Sequence, residues 1–319
     1  MIFSVDTGNK QFKTDHFTFT TGINDSNTKP ALTEDVLEYQ GKYYTLSEKR
    51  MKYTREKYTD ERFFILTLFG LGKEIYAQYT RDGSRPNPNK ERSVTILLGL
   101  PLAHYSNQYE QFEKFFTDRN IVEFTYRDLD IKVKFDYAMT FVQGYAAIMP
   151  YEDILEEGRI IILDMGGFTL DIIKIIDGGI IIEDSKTLEM GVIPFYNKVI
   201  DEVNASYDLI LTEKDIDAII LKDNNLNLEE DTYKNIRKII EDTAQNHIAE
   251  IVRELREDKI DLRTYLTVFV GGGPLLLKSY IEKFKKERKT IGRMRFIKDI
   301  NANCKGYKIM YKDFQQNNK

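Results

Sequence analysis

At 319 residues, with 42% hydrophobic and 30% charged side chains, the chain has the make-up of a folded protein and, at about 150 residues per domain, the length for two domains. Twenty Tyr and nineteen Phe against seven Pro exclude low-complexity disorder, and 46 Lys+Arg against 51 Asp+Glu leave a net charge of −5, with no global basic field to draw the chain to nucleic acid. The lone cysteine, Cys304, excludes an internal disulfide framework or a cysteine-based zinc cluster, and with three scattered histidines (His16, His104, His247) the composition fits a reducing cytoplasm.

The N-terminus lacks a cationic lead and carries Asp6, so no signal peptide is expected. Residues 3–5 and 12–19 read as two strands joined at Thr7-Gly8-Asn9-Lys10, followed by a polar connection over 21–35. A short strand pair is expected over 36–46, turning at Gly41-Lys42. The spacing of Phe64, Ile65, Leu68, Leu71 and Ile75 predicts a buried helix over 62–78. Residues 83–89 read as an exposed loop, 93–100 as an apolar strand ending at Pro101, and 105–116 as a helix. A short alternating strand at 131–135 and a helix at 145–155, bent at Pro150, close the first half.

The most apolar stretch, 160–182, is long enough to raise a membrane span. Asp164, Asp171, Lys174 and Asp177 interrupt it, and two glycine pairs break it, so it reads as three buried strands at 160–164, 170–176 and 180–184. A helix over 193–203 follows, then a polar, acidic stretch over 209–233 that suggests a small inserted lobe. Residues 233–257 read as a long amphipathic helix with Ile236, Ile239, Ile240, Ala244, Ile248, Ile251 and Leu255 on one face. A strand at 266–270 runs into Gly271-Gly272-Gly273, with Pro274 suited to the first position of the next helix. Strand, glycine turn, strand thus occurs twice, at 5–12 and 163–172, in the manner of an ancient duplication.

These glycine turns carry the chemistry. The first is Asp6-Thr7-Gly8-Asn9-Lys10, with Lys13 beyond it; the second is Asp164-Met165-Gly166-Gly167-Phe168-Thr169-Leu170-Asp171; the third is Gly271-Gly272-Gly273-Pro274. Phosphate oxygens need closely packed backbone N–H donors, and only glycine lets the main chain approach that far. A carboxylate opening each of the first two turns suits a hydrated Mg²⁺ that bridges phosphates. Taken singly, each turn is also an ordinary hairpin or helix-entry signal; their order and spacing give them weight.

In that order the three motifs resemble those of the actin / sugar kinase / Hsp70 ATPase superfamily, and within it the ParM/StbA-like actins that segregate plasmids. The second turn resembles the family's phosphate loop of the form Asp-x-Gly-Gly-x-Thr-x-Asp, the first turn its first phosphate loop, and 268–273 its adenosine motif. Residues 137–147 resemble the first connecting helix between the two domains, and 60–67 and 98–102 are softer matches. The resemblance runs from about residue 1 to residue 311 and implies an actin-like (ribonuclease H-like, duplicated) two-domain α/β ATPase fold with a nucleotide cleft between domains. Domain I would take 1–148 and the returning C-terminal helix 302–319; domain II would take 149–301, with the inserted lobe at about 205–245.

Carried over residue by residue, the resemblance implies that Asp6 organises Mg²⁺ through water, and that Thr7, Gly8, Asn9, Lys10 and Lys13 meet the β- and γ-phosphates of ATP, with either Lys10 or Lys13 as the cationic contact. Asp164 would share the metal and polarise the attacking water; Gly166, Gly167 and Thr169 would cradle phosphates, and Gly271, Gly272 and Gly273 would meet the adenosine. Gln143 stands where ParM-like proteins often carry Glu. A neutral amide orients a water but is a poor base, so slow hydrolysis is expected, and whether Gln143 or Asp164 matters more stays open. Asp171 has either a site role or the task of bracing its hairpin. ATP over GTP is not decided.

Charge is unevenly spread. Residues 278–298 hold nine Lys/Arg against two Glu, and 201–231 hold ten acids against two Lys. Such runs are commonly solvated faces; as complementary surfaces they would join copies head to tail, a contact that does not close and yields filaments. The resemblance implies a polar filament of this chain that moves plasmid or phage DNA through a ParR-like adaptor on centromere-like DNA, contacted indirectly, with no membrane partner and a cytoplasmic location. A small-molecule kinase of the same superfamily is the alternative; a chaperone or a membrane-tethered actin is disfavoured by the short stretch after the adenosine motif and the polar tail. Cys304 is expected to pack on the final helix, and His247 to lie at a surface or interface.

Overall fold

The computed structural model describes residues 1–31, 33–222 and 226–317. Residue 32 of the polar connection, residues 223–225 of the expected lobe and the last two residues of the returning helix lie outside the described residues. The chain divides into two compact units, Met1–Glu152 with Asn301–Lys319, and Asp153–Ile300.

The first unit opens with β1 (Ile2–Ser4), β2 (Asp6–Thr7), β3 (Gln11–Lys13) and β4 (Thr18–Thr20). The strand expected over 12–19 is therefore two. Thr14 N–H donates to the Phe17 carbonyl at 2.8 Å, and the Thr14 hydroxyl accepts from Phe17 N–H at 3.1 Å, a local turn that stops the ladder. The polar connection contains a strand, β5 (Ile23–Ser26), which pairs with β7 (Lys42–Leu46) beside β6 (Val36–Tyr39). The β6–β7 turn falls on Gln40 and Gly41, both at positive φ (51° and 74°), one residue earlier than expected. A two-residue loop with both residues left-handed matches the twist of the flanking strands.

Helix α1 (Glu61–Asp82) starts at Asp60, whose carboxylate accepts from Arg62 N–H, and stops at Gly83 in the left-handed region. Strand β8 (Arg92–Leu100), helix α2 (Leu102–Thr117) and strands β9 (Val122–Tyr126) and β10 (Leu129–Val142) follow. β8 is apolar from Ile96 to Leu100 because both of its faces are covered there. Val94, Ile96 and Leu98 enter a core with Phe64, Phe112 and Phe135, whereas Leu97 enters a second cluster with Phe141, Ala146, Tyr307 and Tyr311. Each fully buried ring of this kind contributes about 1.5–3 kcal/mol.

The largest departure from expectation lies here. Residues 137–142, read as part of a connecting helix, continue β10 and pair in parallel with Thr95–Leu100 of β8, after a bulge between Phe135 and Tyr137. β8 sits between β1 and β10 in a seven-stranded sheet, ordered β1-β8-β10-β9-β6-β7-β5. Its backbone groups require a partner along the full edge, and β-branched and aromatic Thr140, Phe141 and Val142 suit it. Only α3 (Tyr145–Ile148) is helical there, after Gly144 at φ 73° ends the strand. A second short helix, α4 (Glu152–Leu155), follows Pro150, so the expected bent helix is two separate turns.

The second unit is built on a sheet ordered β13-β12-β11-β15-β16, with β14 also on β12. These strands are β11 (Arg159–Met165), β12 (Leu170–Ile176), β13 (Gly179–Ile180), β14 (Lys186–Leu188), β15 (Leu266–Val270) and β16 (Met294–Phe296). The strand expected at 180–184 ends at Ile180, and Ile182–Asp184 forms a 3-10 turn because the Ser185 hydroxyl folds back onto the Ile181 carbonyl at 2.8 Å. Helices α5 (Val192–Tyr207), α6 (Glu213–Leu221) and α7 (Glu230–Glu257) pack their apolar stripes on Ile161, Leu163, Leu170 and Ile172. Thr212 and Asp215 close a capping box at the start of α6. His247, expected at a surface or interface, is 2% exposed inside the second unit on α7, its Nε2 3.2 Å from the Met190 carbonyl; the inward stripe at 240, 244, 248 and 251 carries position 247 with it.

After β15, α8 (Gly272–Leu276) and α9 (Lys278–Arg288) precede β16. Gly271 is the N-cap of α8, so Pro274 stands third in that helix rather than first. The chain then returns to the first unit as α10 (Ala302–Asn317), where Cys304 is fully buried. Among the described residues no helix is long and apolar enough to cross a membrane.

Candidate functional site

In the first unit the Asp6–Lys13 and Thr7–Phe12 pairs of the β2–β3 hairpin hold the first glycine turn. A Cβ on Gly8 would stand 2.3 Å from the Gln11 carbonyl oxygen, so only glycine fits. The turn's carbonyls are tied inward: Gly8 accepts from the Thr21 hydroxyl at 2.6 Å, Lys10 from Thr21 N–H at 3.0 Å, and Thr7 from the buried Lys57 ammonium. The electronegative ends of these peptides are thereby engaged by the protein itself. Gly8, Asn9 and Lys10 remain half-exposed.

Asp6 is 5% exposed and densely partnered. Gln143 Nε2 donates to Oδ1 at 3.0 Å, Asn303 Nδ2 donates to Oδ2 at 3.3 Å, and Lys13 Nζ lies 3.5 Å from Oδ2. Lys13, one of the two cations singled out from the sequence, is thus drawn to Asp6, and Lys10 is half-exposed at the turn. Gln143 also donates to the Gly99 carbonyl at 3.3 Å. Both partners are acceptors, which fixes the amide: the NH₂ faces Asp6 and Gly99, and the carbonyl oxygen is left to accept.

Cys304 Sγ lies 3.6 Å from the Lys13 carbonyl, and burial, with Asp6 and Asp15 nearby, pushes its thiol well above the usual range. It is a packing residue and a poor nucleophile.

In the second unit, Asp164 and Asp171 are register partners across β11 and β12, both buried, and the Thr187 hydroxyl donates to Asp171 at 2.5 Å. The glycine turn between them is clamped to the start of α5. Gly166 N–H donates to the Thr169 carbonyl at 2.9 Å, while Val192 and Ile193 N–H groups donate to the carbonyls of Gly166 and Gly167 at 3.1 and 2.7 Å. Parallel pairing of Asp164 with Val270 then lays the third motif beside the second. Gly271, at φ 92°, comes so close that a Cβ would stand 2.7 Å from the Met165 carbonyl oxygen and 2.9 Å from Asp164 Oδ1; a Cβ on Gly273 would meet Met165 at 2.7 Å. Gly272 faces open space.

The fold therefore gathers Asp6, Thr7, Gly8, Asn9, Lys10, Lys13 and Gln143 in the first unit, and Asp164, Gly166, Gly167, Thr169, Gly271, Gly272 and Gly273 in the second. Two residues at the first turn carry no mark in the sequence. Lys57 sits in the polar run Arg55-Glu56-Lys57-Tyr58-Thr59, which reads as solvent-facing, yet it is 6% exposed. Asn303 lies 297 positions from Asp6, and nothing local announces that pairing.

Two units, each with a glycine hairpin, and a last helix returning to the first unit, define the actin-like fold. Residues 162–283 match the family model for the C-terminal part of the archaeal MreB-like actin homologue. Among solved structures, an archaeal actin homologue in complex with ADP aligns at a TM-score of 0.70 and 15% identity, over 98% of this chain and 99% of the other. A 15-stranded ParM filament from Clostridium botulinum aligns at 0.71 and 18% identity over 98% and 99%, and Bacillus thuringiensis ParM with ATP at 0.62 and 15% identity over 98% of both chains. No curated protein sequence matches the chain.

Proposed function

We propose that this chain is an actin-like, nucleotide-binding filament protein that binds ATP with Mg²⁺, assembles with copies of itself, and hydrolyses the nucleotide slowly to control disassembly. The observation that carries the reading is the set of three glycine turns, with no room for a Cβ at Gly8, Gly271 and Gly273, and with buried carboxylates, Asp6 and Asp164, opening two of the turns. Backbone amides at such turns suit phosphate oxygens, and carboxylates suit a hydrated divalent cation. Solved actin-like proteins with ADP or ATP, and one in a filament, support the same reading.

Asp6 and Asp164 would hold Mg²⁺, which when bound neutralises phosphate charge. The chain's own residues supply the rest. Thr7 to Lys10, with Gly166, Gly167 and Thr169, would bind phosphates, and Gly271 to Gly273 the nucleoside. Gln143 Oε1 accepts a hydrogen from a water and so orients it. An amide removes no proton, so turnover would be slow. We also infer that the filament moves DNA through a ParR-like adaptor on a centromere-like site, since the acidic chain needs no direct grip on the nucleic acid.

Electron microscopy with ATP tests the core of this reading, comparing the natural chain with Asp164→Ala. Filaments of the natural chain that are lost or no longer nucleotide-dependent in the variant are expected. Absence of filaments at every concentration, salt and nucleotide overturns it.

A further inference from the structure

Asn303, on α10, is 6% exposed, and its carboxamide is used at both ends. Oδ1 accepts from the backbone N–H of Gly144 at 2.9 Å, and Nδ2 donates to Asp6 Oδ2 at 3.3 Å. Gly144 follows Gln143, whose own amide donates to the other oxygen of Asp6. One side chain therefore spans the carboxylate at the head of the first turn and the backbone next to Gln143. The helix that delivers it, with Asn301 just before it, is pinned to the three-stranded sheet β2-β3-β4 and its β3–β4 turn, by Cys304 on the Lys13 carbonyl, by Lys308 to Asp15 at 2.8 Å, and by the Thr18 hydroxyl on Asn301 at 3.0 Å.

The chemistry calls for a carboxamide. An acceptor and a donor are needed on one planar branch, at opposite ends. Leucine fills the space and serves neither partner. Aspartate keeps the acceptor for Gly144 but sets a second carboxylate against Asp6.

We propose that Asn303 is a positioning residue for the metal–nucleotide site, holding the Asp6 carboxylate and the backbone after Gln143 in one register, so that α10 takes part in nucleotide binding. The proposal rests on the reading of the first turn as a nucleotide site. An amide that only fills the core would affect stability; one that aims Asp6 must change how far binding depends on the metal.

The test measures the affinity of the full chain for a fluorescent ATP analogue, with excess Mg²⁺ and with EDTA, for the natural chain, Asn303→Leu and Asn303→Asp. The readout is the ratio of the metal-free to the metal-bound dissociation constant. In Asn303→Leu the carboxylate is no longer aimed, so affinity with Mg²⁺ falls about 10-fold, in line with one lost buried hydrogen bond, while affinity in EDTA changes little and the ratio falls. In Asn303→Asp the added negative charge repels metal-free ATP more than the Mg²⁺ complex, so the ratio rises.

Opposite displacements of the ratio support the proposal. Ratios within twofold of the natural chain, or displaced in the same direction, overturn it. If Asn303→Leu does not fold, Asn303→Asp, which has the same shape and keeps the Gly144 contact, decides alone by a raised or an unchanged ratio. A natural chain that binds nucleotide in neither condition overturns the nucleotide reading and this inference with it, whereas normal binding with unmoved variant ratios overturns this inference only.

Discussion

Replacing Gly306 with Ala measures how closely α10 must approach the first unit. A Cβ there would stand 1.8 Å from the carbonyl oxygen of Ala146 and 2.4 Å from its carbon, where contacts below 3.0 Å are not sustained. Both neighbours are backbone, so no side chain can swing away, and the helix must retreat by about 1.2 Å in an interior packed to crystal density. Overpacking of that kind costs about 1–3 kcal/mol. The retreat also strains the two hydrogen bonds of Asn303, at 2.9 and 3.3 Å, worth about 1 kcal/mol each. Against this, Ala gains about 1 kcal/mol of helix propensity over Gly. The net loss is about 2–4 kcal/mol, and at about 2–4 °C per kcal/mol the thermal midpoint should fall by about 4–16 °C in differential scanning calorimetry. Gly41→Ala is the control, since Gly41 has φ +74° and nothing within 4 Å of a Cβ, so left-handed strain alone applies, about 1–2 kcal/mol. Propensity alone would make Gly306→Ala more stable than the natural chain; that sign would refute the packing argument.

Three further outcomes follow from the same geometry. Gly271→Ala forces a Cβ to within 2.9 Å of Asp164 Oδ1 in a left-handed conformation, so nucleotide affinity should fall about 10-fold or more by fluorescence titration, and unchanged affinity would separate the third motif from the second. Lys57→Met removes the buried donor to the Thr7 carbonyl, so amide hydrogen exchange over residues 7–10 should quicken and unfolding in urea should move to lower concentration by about 1–3 kcal/mol; unaltered exchange would mean that Lys57 does not hold the turn. Burial, with Lys198 nearby, pushes the His247 imidazole below its ordinary value, so the unfolded chain binds a proton that the folded chain refuses. Stability present above about pH 6.5 is then lost as pH falls, by at most about 1.4 kcal/mol per pH unit. The drop in melting temperature from pH 7.5 to 5.5 should be smaller in His247→Gln, and an equal drop would exclude His247 as its source.

Much of this architecture is written in local signals. Apolar runs such as Leu266–Val270 and the glycine turns that follow them declare buried strands with tight connections, because turn chemistry and side-chain period act over a few residues. The helical stripe of α7 and the small inward-facing Cys304 are legible for the same reason. Residues 137–142 were not. Their aromatic and small residues suit a helix as well as a strand, and the edge of β8, some forty positions earlier in the chain, makes them a strand.

The sequence by itself determined which residues suit a phosphate by their type and in what order they come. Those needs are met by residue type at short range, through a glycine where the backbone must approach and a carboxylate at the head of a turn. Only the tertiary structure decided how each is held: Lys13 drawn to Asp6, the Gln143 NH₂ bound to Asp6 and Gly99, Gly271 seated against Asp164, and Lys57 and Asn303 brought to the first turn from 50 and 297 positions away. Such pairings depend on burying polar groups only where a partner waits, and that condition is satisfied by the whole fold at once.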